Sequence, residues 1–141
     1  MKYSFSSLVA IAACIASTNA HVKLHSPMPF RTTTGPPQNA VSQDYDMTAP
    51  LLPDGSNFPC KGYHKDAQGT QPIDTWAAGS TQTMTFDGSA THGGGSCQAS
   101  FSEDGGASFK VVKSFVGGCP LAPEPFVVPK ETKSGSVIFA W

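Results

Sequence analysis

Two histidines, His21 and His92, carry the metal chemistry that this chain can offer. His21 comes directly after Thr18-Asn19-Ala20, which closes a segment with the form of a secretory signal peptide. Lys2 gives that segment a positive start, and Leu8 to Ala16 is an apolar run too short to span a bilayer. Cleavage after Ala20 makes His21 the first residue of the mature protein. A histidine in that place holds two nitrogen donors on one short frame, the terminal α-amine and the ring Nδ1, and together they close a chelate ring on a metal. His92 stands in Ala90-Thr91-His92-Gly93-Gly94-Gly95-Ser96-Cys97. Three glycines let the backbone pass close to another object without side-chain clash, and the cysteine after them offers an anchor to a sheet. Two imidazoles and one α-amine give three nitrogens in a T-shaped plane. That arrangement favours copper, which heads the divalent affinity order. The amine must lose a proton to bind, and its ordinary pKa is about 7.7–8.0, so metal affinity is expected to fall below neutral pH.

Competing chemistries are weaker. His25 lies four residues after His21, but Pro27 and Pro29 follow and no helix aligns the two. His25 reads as exposed, with a place as ligand or beside the substrate as the alternative. His64, in Tyr63-His64-Lys65-Asp66, reads as an ordinary loop residue. Gly94-Gly95-Ser96-Cys97-Gln98 lacks the second glycine of a nucleophile elbow. The triple glycine lacks the Gly-Lys-Ser/Thr of a phosphate loop. Ten acids are present, but no spacing singles out a glycosidase pair, and Glu103 and Asp104 read as solvated turn residues. Tyr45, Tyr63 and Trp76 could each stack on a sugar or pack a loop, with Trp76 the most buried of its stretch.

Composition sets the class. Removing 20 of the 141 residues leaves 121, one domain with a modest core, and takes the formal charge from -1 to -2 because Lys2 leaves. Nothing is basic enough to track a phosphate backbone, so no nucleic acid partner is expected. No second apolar run reaches membrane-spanning length, so no membrane association is expected and the product should be secreted and extracellular. No N-x-S/T sequon occurs. Cys14 leaves with the signal, and Cys60, Cys97 and Cys119 remain, an odd number in an oxidising compartment.

The elements that must position the histidines are strands. Fourteen glycines and twelve prolines argue against long helices. His21 to Leu24 reads as a short strand, and 31–59 as an irregular loop ending at Cys60. Thr81 to Phe86 alternates with Met84 and Phe86 on one face, and Asp87-Gly88 reads as a turn. Cys97, Ala99 and Phe101 share a face of the next strand. Glu103-Asp104-Gly105-Gly106 signals a hairpin, and Phe109 to Val116 returns with a bulge near Val111-Val112. Phe126-Val127-Val128 and Ser136 to Trp141 complete the set, the last with Val137, Phe139 and Trp141 on one face. The pattern predicts an all-β fold, an antiparallel β-sandwich over 21–141 with long loops. The chain stops at Trp141 inside an apolar strand. That stop and the odd cysteine count together lead to the expectation of a sandwich incomplete at its C-terminus.

His21 after the signal, Pro27-Met28-Pro29-Phe30, Asp54-Gly55-Ser56-Asn57-Phe58-Pro59-Cys60-Lys61, Thr91-His92-Gly93-Gly94-Gly95-Ser96-Cys97-Gln98 and Gly117-Gly118-Cys119-Pro120 occur in this order. In these runs the chain resembles the fungal lytic polysaccharide monooxygenases of auxiliary activity family eleven, the chitin-active group. The resemblance implies an immunoglobulin-like sandwich and one copper in a histidine brace, with His21 giving its amine and Nδ1 and His92 its Nε2. It implies oxidative cleavage of chitin or a related insoluble polysaccharide, driven by a small-molecule or protein electron donor, by a secreted monomer. It places Ala90 near an axial copper position, pairs Cys97 with Cys119, and pairs Cys60 with a cysteine beyond Trp141. It also implies an axial tyrosine and a nearby acid in a C-terminal part not present here, so the activity of a chain ending at Trp141 is an open question. The alternative function is a secreted protein without catalysis, binding either copper or the carbohydrate of a cell wall.

Overall fold

In the computed structural model the described residues are 21–33, 43–66, 71–89, 91 and 95–141. Alternating apolar side chains produce six strands: β1 (Val22–Ser26), β2 (Thr81–Gly88), β3 (Cys97–Ser102), β4 (Lys110–Phe115), β5 (Glu124–Val127) and β6 (Ile138–Ala140). They form two antiparallel sheets, β1-β2-β5 and β4-β3-β6. The fold is an all-β sandwich, as the strand pattern predicts. A single kinked 3-10 segment, Cys60–Lys65, interrupts the strands among the described residues, with Lys61 and Gly62 out of helical conformation. No helix among the described residues is long and apolar enough to cross a membrane.

The core lies between the facing sheets. Met84 from β2 and Phe126 from β5 meet Ala99 and Phe101 from β3, and Val128 closes one end, all of them buried. Trp76 comes in from the loop before β2 and sits edge-on to Phe126 at 5.5 Å and to Phe139 at 5.9 Å. Phe126 and Phe139 stack across the sandwich at 4.6 Å. Such aromatic contacts contribute about 0.5–1.5 kcal/mol each beyond the area they bury. Trp141 packs on Phe86 at 4.9 Å, joining the end of the chain to β2. Lys113 on β4 reaches the other sheet, donating to Glu124 at 2.8 Å and to the Pro125 carbonyl at 2.6 Å.

Two details of register bear on the sequence reading. Ala99 pairs with Lys113 and Ser100 with Val111, so Val112 is the extra residue of a bulge, where the alternation breaks. Asp87-Gly88 does not turn the chain. Both residues stay in β2, opposite Lys23 and Val22. Pairing with β1 outweighs the local turn preference of the dipeptide, as tertiary context commonly does for short signals.

Candidate functional site

The site is built on the first residues of β1 and the last residues of β2. Side chains alternate along a strand, so Leu24 turns to the core while His21, Lys23 and His25 share the opposite face. His21 is exposed and stands just before β1. Lys23 faces Asp87 in the ladder, and its Nζ lies 3.8 Å from that carboxylate. His25 Nδ1 lies 3.1 Å from each Asp87 oxygen. These groups are partly exposed, so each contact contributes only about 0.2–1 kcal/mol. They lie beside His21 on the same face of the sheet. An open depression lies here, lined by His21, Lys23, Thr48, Asp87, Gly88 and Ser89.

Thr48 belongs to a loop that hydrogen bonds hold together. The Asp44 carboxylate is its hub. Oδ2 accepts from Lys61 Nζ at 2.8 Å and from the Tyr63 hydroxyl at 2.9 Å, and Oδ1 accepts from the Asp46 amide at 2.7 Å. Burial pushes the Asp44 pKa up, but the bonds from Lys61, Asp46 and Tyr63 outweigh it and hold the group below the usual range. Arg31 donates to Asp66 at 2.7 Å and lies 4.2 Å over the Tyr63 ring. Tyr63 is therefore a structural residue, and Trp76 is a core residue. Of the three aromatics that could meet a sugar, Tyr45 alone stands out in solvent, at 84% exposure and three residues from Thr48.

The remaining expectations sort as follows. Cys97 and Cys119 are joined by a disulfide that bridges 22 positions with a Cα–Cα distance of 5.4 Å. Cys60 is half-buried and has no disulfide partner among the described residues, and burial pushes its thiol pKa up. His25 is tied to Asp87. His64 packs its ring against Gly106 in the β3–β4 turn, and its Nδ1 is buried without a hydrogen-bond partner among the described residues. Asp104 is not simply solvated: it accepts from Ser108 and Ser102, which hold it well below the ordinary range. Glu103 likewise accepts from the Lys133 amide at 2.7 Å. His92, Ala90 and the expected signal segment 1–20 lie outside the described residues. Among the described residues no three His, Cys, Asp or Glu side chains stand together as a metal site. Toward the expected two-histidine site the described residues supply one exposed imidazole, His21, at a strand end. Ser89, three residues before His92 in the sequence, lines the same depression as His21.

No protein-family model matches the chain. Curated relatives do. The chain is 46% identical over 123 residues to AA11 family lytic polysaccharide monooxygenase A of Aspergillus fumigatus, an alignment covering 86% of this chain and 56% of that protein. It is 35% identical to AA11 family lytic polysaccharide monooxygenase B of the same species, over 100% of this chain and 36% of that protein. It is 32% identical to an AA11 family lytic polysaccharide monooxygenase of Aspergillus oryzae, over 89% of this chain and 28% of that protein. The chain thus spans about half or less of the length of the relatives it matches.

Proposed function

With these identities placing the chain in the AA11 family, we propose that it is a secreted copper-dependent monooxygenase acting on chitin or a related insoluble polysaccharide. In this reading residues 1–20 are removed as a signal peptide. His21 then holds copper through its amine and Nδ1, and His92 does so through Nε2. Bound there, copper supplies the redox chemistry that, with an external electron donor and oxygen or hydrogen peroxide, oxidises a C–H bond beside a glycosidic link. The protein supplies placement, and it acts as a monomer.

The observation that carries this reading is the position of His21. It is exposed at the mouth of β1, next to the Val22–Gly88 pair where β2 ends. His92 follows Gly88 by four residues in the sequence, a short tether from the strand end beside His21 to the second proposed ligand. The disulfide at Cys97 ties down the far end of the same segment. Tyr45 offers an exposed ring for stacking on a sugar face, and its loop reaches the depression through Thr48. A shallow polar face suits a crystalline polymer, which cannot thread into a cleft.

The test uses the protein secreted with His21 first. Copper(II) should give a three-nitrogen spin-resonance signal, and β-chitin with ascorbate should give oxidised oligosaccharides. An added alanine before His21 should remove the signal, because the amine becomes an amide. Copper binding with no oxidised products would leave the non-catalytic copper-binding reading. Absence of both signal and products would refute the copper reading and favour a carbohydrate-binding protein.

A further inference from the structure

The end of β2 is where local sequence preference fails, and the failure falls against His21. Gly88 pairs with Val22 at a φ of +133°, a conformation that L side chains rarely adopt. A Cβ on Gly88 would run into the carbonyl oxygen of His21. It would also lie 3.0 Å from the Val22 Cα and 3.1 Å from the His21 carbonyl carbon. These are backbone atoms, so no rotamer change relieves the collision. Among the described glycines this approach is peculiar to Gly88. At Gly79 and Gly106 a Cβ would meet the side chains of Lys130 and His64, and at Gly55, Gly62, Gly95, Gly105, Gly117, Gly118 and Gly135 it would meet nothing within 4 Å. Positive φ alone therefore does not account for a glycine at this position. The adjacent Asp87 holds the same stretch of β1 from its side chain, through Lys23 and His25.

We infer that Gly88 is a positioning residue that sets the place of the His21 backbone. The consequence for copper rests on the function proposed above. A side chain at 88 pushes the first residue of the mature chain away from β2 and carries its amine and ring with it.

The test is a thermodynamic cycle on the metal-free protein, with Gly88→Ala made in chains beginning at His21 and at Val22. The melting-temperature loss should be at least about twice as large when His21 is present, because deleting His21 removes the principal collision. Equal losses overturn the inference. If Gly88→Ala does not fold with His21 present, recovery of a folded Gly88→Ala chain beginning at Val22 supports the inference, and failure of both overturns it. Copper titration calorimetry gives the second readout. Gly88→Ala should weaken copper binding by about 10- to 100-fold, the usual effect of losing a group that orients a ligand. Gly105→Ala shares the positive φ without the collision and should leave the affinity unchanged. Unaltered copper affinity in Gly88→Ala overturns the inference. If the unsubstituted protein binds no copper, the proposed function fails, and the melting cycle alone decides the role of Gly88.

Discussion

Replacing Cys97 and Cys119 together with serine removes the bond at the open end of the β3–β4 hairpin, and its cost follows from loop length. The bond closes 22 positions. In the chain-entropy treatment this denies the unfolded state about 11 cal/mol/K, or about 3.4 kcal/mol at 25 °C. For the 121 residues that follow the proposed signal segment the unfolding entropy near the midpoint is about 0.25 kcal/mol/K, so the melting temperature should fall by about 13 °C. That is a large share of a typical total of about 5–15 kcal/mol. The assay is urea unfolding at 25 °C, with the double variant and the parent compared without reductant. The slope against urea should also rise, because an unfolded chain without the cross-link exposes more surface. A loss below about 1 kcal/mol with an unchanged slope would refute the reasoning. It would mean that the unfolded chain already keeps the hairpin closed.

The other predictions concern titration, the loop and the thiol. Asp44, Asp54, Glu103 and Asp104 all have lowered folded pKa values, so below about pH 4 the unfolded chain binds more protons than the folded one. Stability should therefore be fully present above that range and fall as pH drops through the folded values; a urea midpoint that stays flat from pH 5 to pH 2 would contradict this. Asp44→Ala leaves the Tyr63 hydroxyl without its acceptor and Lys61 with the Asp46 carbonyl alone, and should cost about 2–3 kcal/mol by urea unfolding, near the upper end for a charged hydrogen-bond partner because its side chain is only 10% exposed. Tyr45→Ala should change stability by less than about 0.5 kcal/mol yet weaken binding to β-chitin in a pull-down, since the ring packs on little. Cys60 should react with iodoacetamide at pH 8 more slowly than a thiol in the urea-unfolded chain, because burial raises its pKa; equal rates would show the thiol to be open.

Much of the sandwich is legible in the sequence because side-chain alternation is a local property. Met84 and Phe86, then Ala99 and Phe101, declare their common face within a few residues. The β3–β4 hairpin and the bulge at Val112 are legible for the same reason: each is a departure from alternation or a cluster of turn residues. The 3-10 segment at Cys60–Lys65 is not, since it depends on Lys61 and Gly62 at positive φ. Neither is the Asp44 hub, whose partners Lys61 and Tyr63 lie 17 and 19 residues away. Tyr45, Tyr63 and Trp76 look alike as loop aromatics, and only packing separates the exposed ring from the one under Arg31 and the one in the core.

The site divides along the same line. The sequence by itself supplies the candidate donors of the proposed site, because a histidine after a signal-like segment and a histidine in a glycine-rich run are facts of residue type and order. It determines the all-β class through period and turn density. Tertiary structure alone decides that Asp87-Gly88 continues β2 instead of turning. That choice depends on a partner strand about 65 residues earlier in the chain, where the His21 backbone leaves no room for a Cβ at Gly88. The turn preference of two residues is local and small, whereas the ladder opposite Lys23 and Val22 is long-range and cooperative.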